Sequence, residues 1–464
     1  MNLKLDEISK AVQGTLDGPG NLTARGYSID TRTLNPGDLF FAVKGPHFDG
    51  HSFVKDAMER KAAGAVIEAG DATSSPSFGV IRVGSTVEAL QHLAQTVRRL
   101  WAKPVIGVTG SVGKTTTKEM IASVLARRFT VLRSIGNLNN EFGLPLCLLR
   151  VESRQTIGVL EMGMSAKGEI RKLASIAEPN EGVITNVNAV HLEFFDSIEG
   201  IAEAKAELLD GLVEPKRAYL NYDDHRVRAM ASRVPGKVVT YGLDSAADFS
   251  ADCVRDLGLR GSAFKVRHSG AVREFRLPLL GQHNIGNALA AITVAACHGV
   301  PWEDIQSAIA DMKPEKMRGQ VVRFREGFVV IDDSYNSNPK ALTEMIHFVG
   351  RLQGQSRKIL VVGEMLELGK DAADLHRACG REAALSGAAL IVGVQGMARE
   401  ILEGARQAGA ESGRLAFAED SVQAGQLLAD AVKEGDVVLI KGSRRVKLEQ
   451  ALSSLRAAFS SVEA

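Results

Sequence analysis

Short apolar runs alternate along this chain with longer stretches whose apolar side chains recur every three or four residues. The runs VIGV (105–108), IGVLE (157–161), GVITNV (182–187) and RAYLN (217–221) have the length and composition of buried strands. FVVIDD (328–333), KILVVG (358–363), ALIVGV (389–394) and DVVLIKG (436–442) form a second such series. Between them lie helical patterns: Met120, Ile121, Val124 and Leu125 in one, Ile201, Lys205 and Leu208 in another. The stretch NIGNALAAITVAACHGVP predicts a helix stopped by Gly299 and Pro301. Strands alternating with helices give an α/β protein with mostly parallel sheets. Residues 1–99 differ: DLFFAV (38–43) reads as a strand and HSFVKDAMERKAAGA (51–65) as a helix. LWAKP (100–104) reads as a connector.

At 464 residues the chain is too long for one core. Three domains are expected: a small α/β domain at 1–99, a central phosphate-loop domain with a mainly parallel sheet at 100–313, and a doubly wound, Rossmann-like α/β domain at 314–464. A net charge of +1 offers no field for nucleic acid or an anionic membrane. MNLKLDEISK lacks a secretory core, and no apolar run is long enough to span a bilayer. Cys147, Cys253, Cys297 and Cys379 form no metal-like pair, so they are expected as reduced, packed thiols. A cytoplasmic monomer, free of membrane insertion, is the expectation.

GVTGSVGKTTTKEM, from Gly107, follows a strand and opens a helix, as a phosphate cradle requires. A full Walker pattern would place a glycine at Val108. The shorter loop keeps Gly110, Ser111, Val112 and Gly113, then Lys114 for β/γ-phosphates, Thr115, whose hydroxyl can sit on Mg²⁺, and Thr116. A divalent cation beside a triphosphate needs hard oxygen ligands. Glu161, Asp332 and Asp333 end strands and are candidates, although strand-end acids also serve as caps. Asn284 and Asn287 share a helix face and carry the donor–acceptor set that an adenine edge accepts. Asn284 could equally cap the helix. Lys205 on an apolar stripe is costly unless paired or neutral, or unless it snorkels beside Glu203 or Glu207.

Taken together, TGSVGKTTT, GNLNNEFGLP and HNIGNALAA resemble the Mur ligase superfamily in order and over almost the whole chain. The resemblance implies ATP, two Mg²⁺ ions, and Glu161 and His191 (of NAVHLEFF) as metal residues. It implies that Lys205, in an AKAE segment, is carbamylated and joins them. It gives Asn284 and Asn287 to adenine, Arg318 to the nucleotide phosphates and Asp333 to ribose or domain closure. YSIDTRTLNPGDLFFAVKG resembles the UDP-sugar domain of the tripeptide- and dipeptide-adding branches, with Asp30, Thr31, Arg32 and Lys44 as polar points. Asn137, Asn139 and Asn140 fall in the substrate-contacting insert. DDSYNSNP and VVGEMLELG resemble the dipeptide-adding branch, and the DNPR signature of the diaminopimelate- or lysine-adding branch is absent. Ser334, Tyr335, Asn336 and Asn338, with Lys441 and Arg444 of KGSRR, would then meet the incoming peptide. The implied substrates are UDP-MurNAc-tripeptide and D-Ala-D-Ala, joined through an acyl phosphate. Folylpolyglutamate synthase shares the loop but would lack the UDP-type domain. A switch GTPase would carry NKxD, which is absent.

Overall fold

The computed structural model describes residues 1–464 except 46–47, 69, 71–73, 190–192, 196, 355–356 and 463–464. Three main sheets follow one another along the chain. The first is five-stranded, in the order Thr15–Asp17, Gly79–Arg82, Gly64–Ile67, Asp38–Phe41, Gly26–Ser28. Only Thr15–Asp17 runs antiparallel in it. The expected helix over 51–65 is confined to Val54–Glu59. The apolar end of that stretch is instead the strand Gly64–Ile67, completely buried between two parallel neighbours. Sheet pairing there overrides helix propensity.

Thr86–Trp101 is one helix, started by the Ser85 hydroxyl, which accepts from Glu88 N–H, and stopped by Ala102 at φ 50°. Leu100 and Trp101, read as connector, belong to its last turn. Arg98 and Trp101 then tie it to the next sheet, through the Ala177 and Gln155 carbonyls.

The central, nine-stranded sheet places Val105–Thr109 between Ile157–Glu161 and Glu181–Ile184. All its strands from Val131–Arg133 through Phe249–Asp256 are parallel. Ser262–His268 and Ala271–Leu277 close that edge as an antiparallel meander. The helix Lys114–Leu125 packs on the sheet with Met120, Ile121, Val124 and Leu125 buried. The helix His283–Cys297 lies against it, and Gly299, at φ 68°, ends that helix's turn.

The third sheet orders Leu415–Ala418, Leu390–Val394, Lys358–Gly363, Val437–Lys441 and Val329–Asp332 in parallel. Gln320–Phe324 and Ser461–Val462 add antiparallel strands at one edge. Cys147 and Cys379 are buried as expected, whereas Cys253 is exposed on an irregular strand at φ 51°. No helix among the described residues is long and apolar enough to cross a membrane.

Candidate active site

The carboxyl ends of the central and third sheets face each other across a cleft of about 570 Å³. Parallel α/β sheets bind ligands at this edge. The phosphate loop forms one wall. Gly110 and Gly113 take φ values of 149° and 85°, and a Cβ on Gly110 would collide with Thr185 Oγ1. The loop is braced from behind by the segment after Glu181–Ile184. Thr185 Oγ1 donates to the Val112 carbonyl, and the Asn186 side chain both accepts from Val112 N–H and donates to its carbonyl. Ser111 Oγ donates to the Asn188 carbonyl and accepts from Asn188 N–H. These bracing residues were missed in the sequence, where GVITNV (182–187) read as one strand, although the strand ends at Ile184; the polar run directly after it was the available signal.

Lys114 Nζ folds back onto its own loop, donating to the Gly110 and Ser111 carbonyls at 2.9 and 3.1 Å. Burial pushes its ammonium below the ordinary lysine range; Glu161 opposes that shift and Arg318 adds to it. Glu161 ends its strand inside the cleft and is buried. Its Oε1 accepts from Asn139 Nδ2 at 2.8 Å, and its Oε2 has no hydrogen-bond partner among the described residues. An isolated buried carboxylate oxygen is costly, so it marks a place for a donor or a cation. No cluster of three or more His, Cys, Asp or Glu side chains able to hold a metal occurs among the described residues. Glu161 and the Thr115 hydroxyl nevertheless present hard oxygens to the same cleft, as a phosphate-bound Mg²⁺ requires.

Lys205 lies outside the cleft lining, 1% exposed, on the buried stripe with Ile201 and Leu208. Its amine cannot snorkel. Glu203 is paired with Arg233, and Glu207 accepts from Gly168 and Arg171 N–H groups at the start of the next-packed helix. Burial first, and then Lys114, hold Lys205 well below the ordinary lysine range. His191 lies outside the described residues.

Asn284 and Asn287 are buried and line the cleft. Asn284 does not cap its helix: its Nδ2 donates to the Leu280 carbonyl, and its Oδ1 accepts from Asn287 Nδ2. Asn287 Oδ1 accepts from the Thr117 hydroxyl, against Gly113. Asn287 therefore already ties its helix to the one that follows the loop, and Asn284 holds Asn287 in place. A second cleft, of about 620 Å³, adjoins the first at Val112, His283 and Asn287 and runs past Asn188, Asn221 and Tyr241. Burial holds His283 below the ordinary imidazole range, opposed by Glu344.

From the third sheet, Asp333, Tyr335, Asn336, Asn338 and Lys441 line the main cleft. Lys441 Nζ donates to Asp333 Oδ2 at 2.6 Å and to the Asn336 carbonyl. Asn338 starts the helix Pro339–Arg351 by accepting from Ala341 N–H. Arg318 stacks on the Tyr335 ring at 4.0 Å and donates to Thr115 Oγ1 at 3.2 Å. Asn137, Asn139 and Asn140 also line the main cleft, as does Thr116. Ser334 does not reach the cleft: it is fully buried, its hydroxyl donating to Asp332 at 2.5 Å. Arg444 is paired with Glu449 outside the cleft lining. Asp30, Thr31, Arg32 and Lys44 form no part of it either. Asp30 is bonded to Arg32, whose guanidinium first, and also its N–H, lower the Asp30 carboxyl against the opposing effect of burial.

A phosphate loop at the carboxyl edge of a parallel sheet, facing a second α/β domain across a polar cleft, defines a nucleotide-dependent enzyme of three α/β units. Comparison with known proteins narrows this. The family models for the Mur ligase family catalytic domain, the Mur ligase middle domain and the Mur ligase glutamate ligase domain match residues 23–98, 108–295 and 317–444. The UDP-N-acetylmuramoyl-tripeptide–D-alanyl-D-alanine ligase of Bacillus subtilis is 36% identical over 97% of both chains. Its Escherichia coli namesake is 32% identical over 98% of this chain and 99% of its own. Among solved structures, MurF from Acinetobacter baumannii superposes with a TM-score of 0.89 at 28% identity, covering 98% of this chain and 99% of that one. MurF ligase from Thermotoga maritima in complex with ADP gives 0.82 at 29%, covering 94% and 98%. The chain belongs to the Mur ligase family.

Proposed function

We propose that this chain joins D-alanyl-D-alanine to UDP-N-acetylmuramoyl-tripeptide at the expense of ATP, giving the UDP-MurNAc-pentapeptide used in peptidoglycan synthesis. The observation that carries the reading is the meeting, in one cleft, of the phosphate loop, Glu161, the asparagine run 137–140 and the Asp333–Asn338 segment. The near full-length likeness to ligases of that name supports the same substrates.

The substrate carboxylate attacks the γ-phosphorus of ATP; the bond to ADP breaks and an acyl phosphate forms. The neutral amine of the dipeptide then attacks the acyl carbon, loses a proton and expels phosphate. Charge neutralisation and alignment carry most of such catalysis. Lys114 turns from its loop carbonyls to the β/γ-phosphate oxygens, and the loop N–H groups at the helix start meet the same anion. Arg318 adds a second cation from across the cleft. The base enters the second cleft beside Asn287, with Asp333 toward the ribose. Asn137, Asn139 and Asn140 orient the UDP-linked peptide, and the neutral groups of Tyr335, Asn336 and Asn338 suit a zwitterionic dipeptide without side-chain charge.

Thr115 and Glu161 fit one Mg²⁺, and His191 with a carbamylated Lys205 would serve a second. Such ions supply positive charge to the phosphoryl oxygens. Burial and Lys114 disfavour the Lys205 ammonium, which suits CO₂ addition to the free amine: an N–C bond forms, a proton leaves, and the resulting carbamate is an anion. ¹³C-bicarbonate should give a carbamate resonance that Lys205→Ala abolishes; its absence from active enzyme rejects the modification.

Product mass after incubation with ATP, D-Ala-D-Ala and each UDP-tripeptide, lysine- or diaminopimelate-containing, tests the whole reading. Carboxylate oxygen-18 should appear in the released phosphate. Product with folate and glutamate in place of these substrates would overturn it.

A further inference from the structure

Lys118 stands one helical turn beyond Lys114, on the same helix, and is fully buried. A lysine in a core without a stated task would be replaced at a gain by a Met or Leu of similar volume. Here its Nζ donates to the Ser134 carbonyl at 2.7 Å and meets the neighbouring Glu119 carboxylate at 2.5 Å. Glu119 also pairs with Arg133, the residue before Ser134.

Ser134, itself fully buried, sits where a backbone ladder ends. The parallel pairing of Val131–Arg133 with Ile157–Glu161 stops at Arg133 opposite Val159. Beyond that point the Ser134 hydroxyl accepts from the Glu161 N–H at 3.0 Å, in place of a strand carbonyl. The Ser134 N–H donates to the Val159 carbonyl. One residue therefore carries Lys118 on its carbonyl and the Glu161 backbone on its hydroxyl. Lys114 and Lys118 lie on one rigid helix, so this relay fixes the distance between the phosphate-loop lysine and the Glu161 carboxylate.

We propose that Lys118 is a positioning residue: through Ser134 it holds the Glu161 carboxylate in register with the phosphate loop. The inference rests on the reading that Glu161 receives the nucleotide-bound cation. A strand end with a free ladder position would otherwise let Glu161 shift by fractions of an ångström, enough to loosen a cation site.

The test compares ADP binding with and without Mg²⁺, by calorimetry on the full chain, in Lys118→Met, Ser134→Ala and Glu161→Gln. Mn²⁺ binding to the ADP complex, by its paramagnetic resonance, is a second readout. Lys118→Met should leave metal-free ADP affinity within about twofold and weaken the metal-dependent gain roughly tenfold, a factor common for supporting residues of metal ligands. Ser134→Ala should do the same, and the double variant should be no worse than the weaker single one, since both break one relay. Equal loss of metal-free and metal-bound affinity, or an unchanged metal-dependent gain, overturns the proposal. Should Lys118→Met fail to fold, Ser134→Ala decides by the same criteria. Glu161→Gln separates the two ideas. If it leaves the metal-dependent gain intact, the cation reading of Glu161 fails; if it abolishes the gain while the relay variants leave it unchanged, only the positioning role fails.

Discussion

Lys114 and Gly113 show how two residues of one loop carry different burdens. The Lys114 ammonium spends its hydrogen bonds on two carbonyls of its own loop and holds no distant element in place. Lys114→Ala is therefore expected to leave the melting temperature within a few degrees while lowering turnover roughly 10²- to 10³-fold, the usual loss for a preorganised charge at a developing anion. Steady-state kinetics beside thermal unfolding checks both halves; near-normal turnover would remove Lys114 from the reaction. Gly113 is the converse. Its φ is 85°, and a Cβ there would run into Asn287 Oδ1, so the position has no room for a side chain. Gly113→Ala should cost about 1–2 kcal/mol from the left-handed backbone alone. It should also displace Asn287 from Thr117 and so weaken ADP binding, which calorimetry and denaturant titration would register together. The loop's chemistry was legible in the residues TGSVGKTTT, because glycine, lysine and threonine act there through local geometry. That Asn287 accepts from Thr117 and is held by Asn284 was not legible, since Thr117 and Asn287 are brought together by helix packing.

At the scale of elements, the buried parallel strands were the easiest to read. IGVLE, RAYLN and KILVVG are strands at the residues expected, because a short apolar run bounded by polar turns has few other uses. The meander from Phe249 to Leu277 escaped: its strands expose one side, and their mixed polar and apolar residues carry a weaker signal. The signature loop after Lys358–Gly363 has an anchor equally invisible in sequence. His376, fully buried on the helix Ala372–Leu385, accepts from Met365 N–H through Nε2, and its Nδ1 meets the Ala372 carbonyl at 2.6 Å. Both contacts require the neutral ring with its proton on Nδ1. Burial lowers its pKa, against opposing effects of the Ala372 carbonyl, Glu364 and Glu400. An unfolded histidine titrates near about 6.5, so below that pH the unfolded chain binds a proton the folded chain resists. This contribution to stability is present above about pH 6.5 and is lost as the pH falls toward the lowered folded value. Unfolding of the full chain followed at about pH 7.5 and about pH 5.5 should show the loss, and His376→Gln should flatten it. An equal pH dependence in the variant would show that other groups dominate.

For the whole molecule, the arrangement of the sheets makes closure across the main cleft the remaining question. Lys340 Nζ donates to Asn188 Oδ1 at 3.0 Å, His283 faces Glu344 at 3.5 Å, and Arg318 reaches Thr115 at 3.2 Å. Partly exposed polar pairs of this kind contribute about 0–1 kcal/mol each, so ligands can readily outweigh them. Arg318 is the most informative. Its stacking on Tyr335 keeps the guanidinium within the cleft, while its bond to a neutral hydroxyl is weaker than one to a phosphate oxygen. A triphosphate in the loop should therefore draw Arg318 from Thr115, free that hydroxyl and pull the third sheet's domain inward. Small-angle scattering should then show a smaller radius of gyration with a non-hydrolysable ATP analogue and both peptide substrates than without them. Arg318→Met removes a charge-assisted bond worth about 1.5–3 kcal/mol, so the same compaction should require roughly ten- to a hundredfold more nucleotide. Profiles that coincide with and without ligands would rule out closure as the step that completes the site. Compaction unaffected by Arg318→Met would move its trigger to other residues that span the cleft, Lys340 first among them.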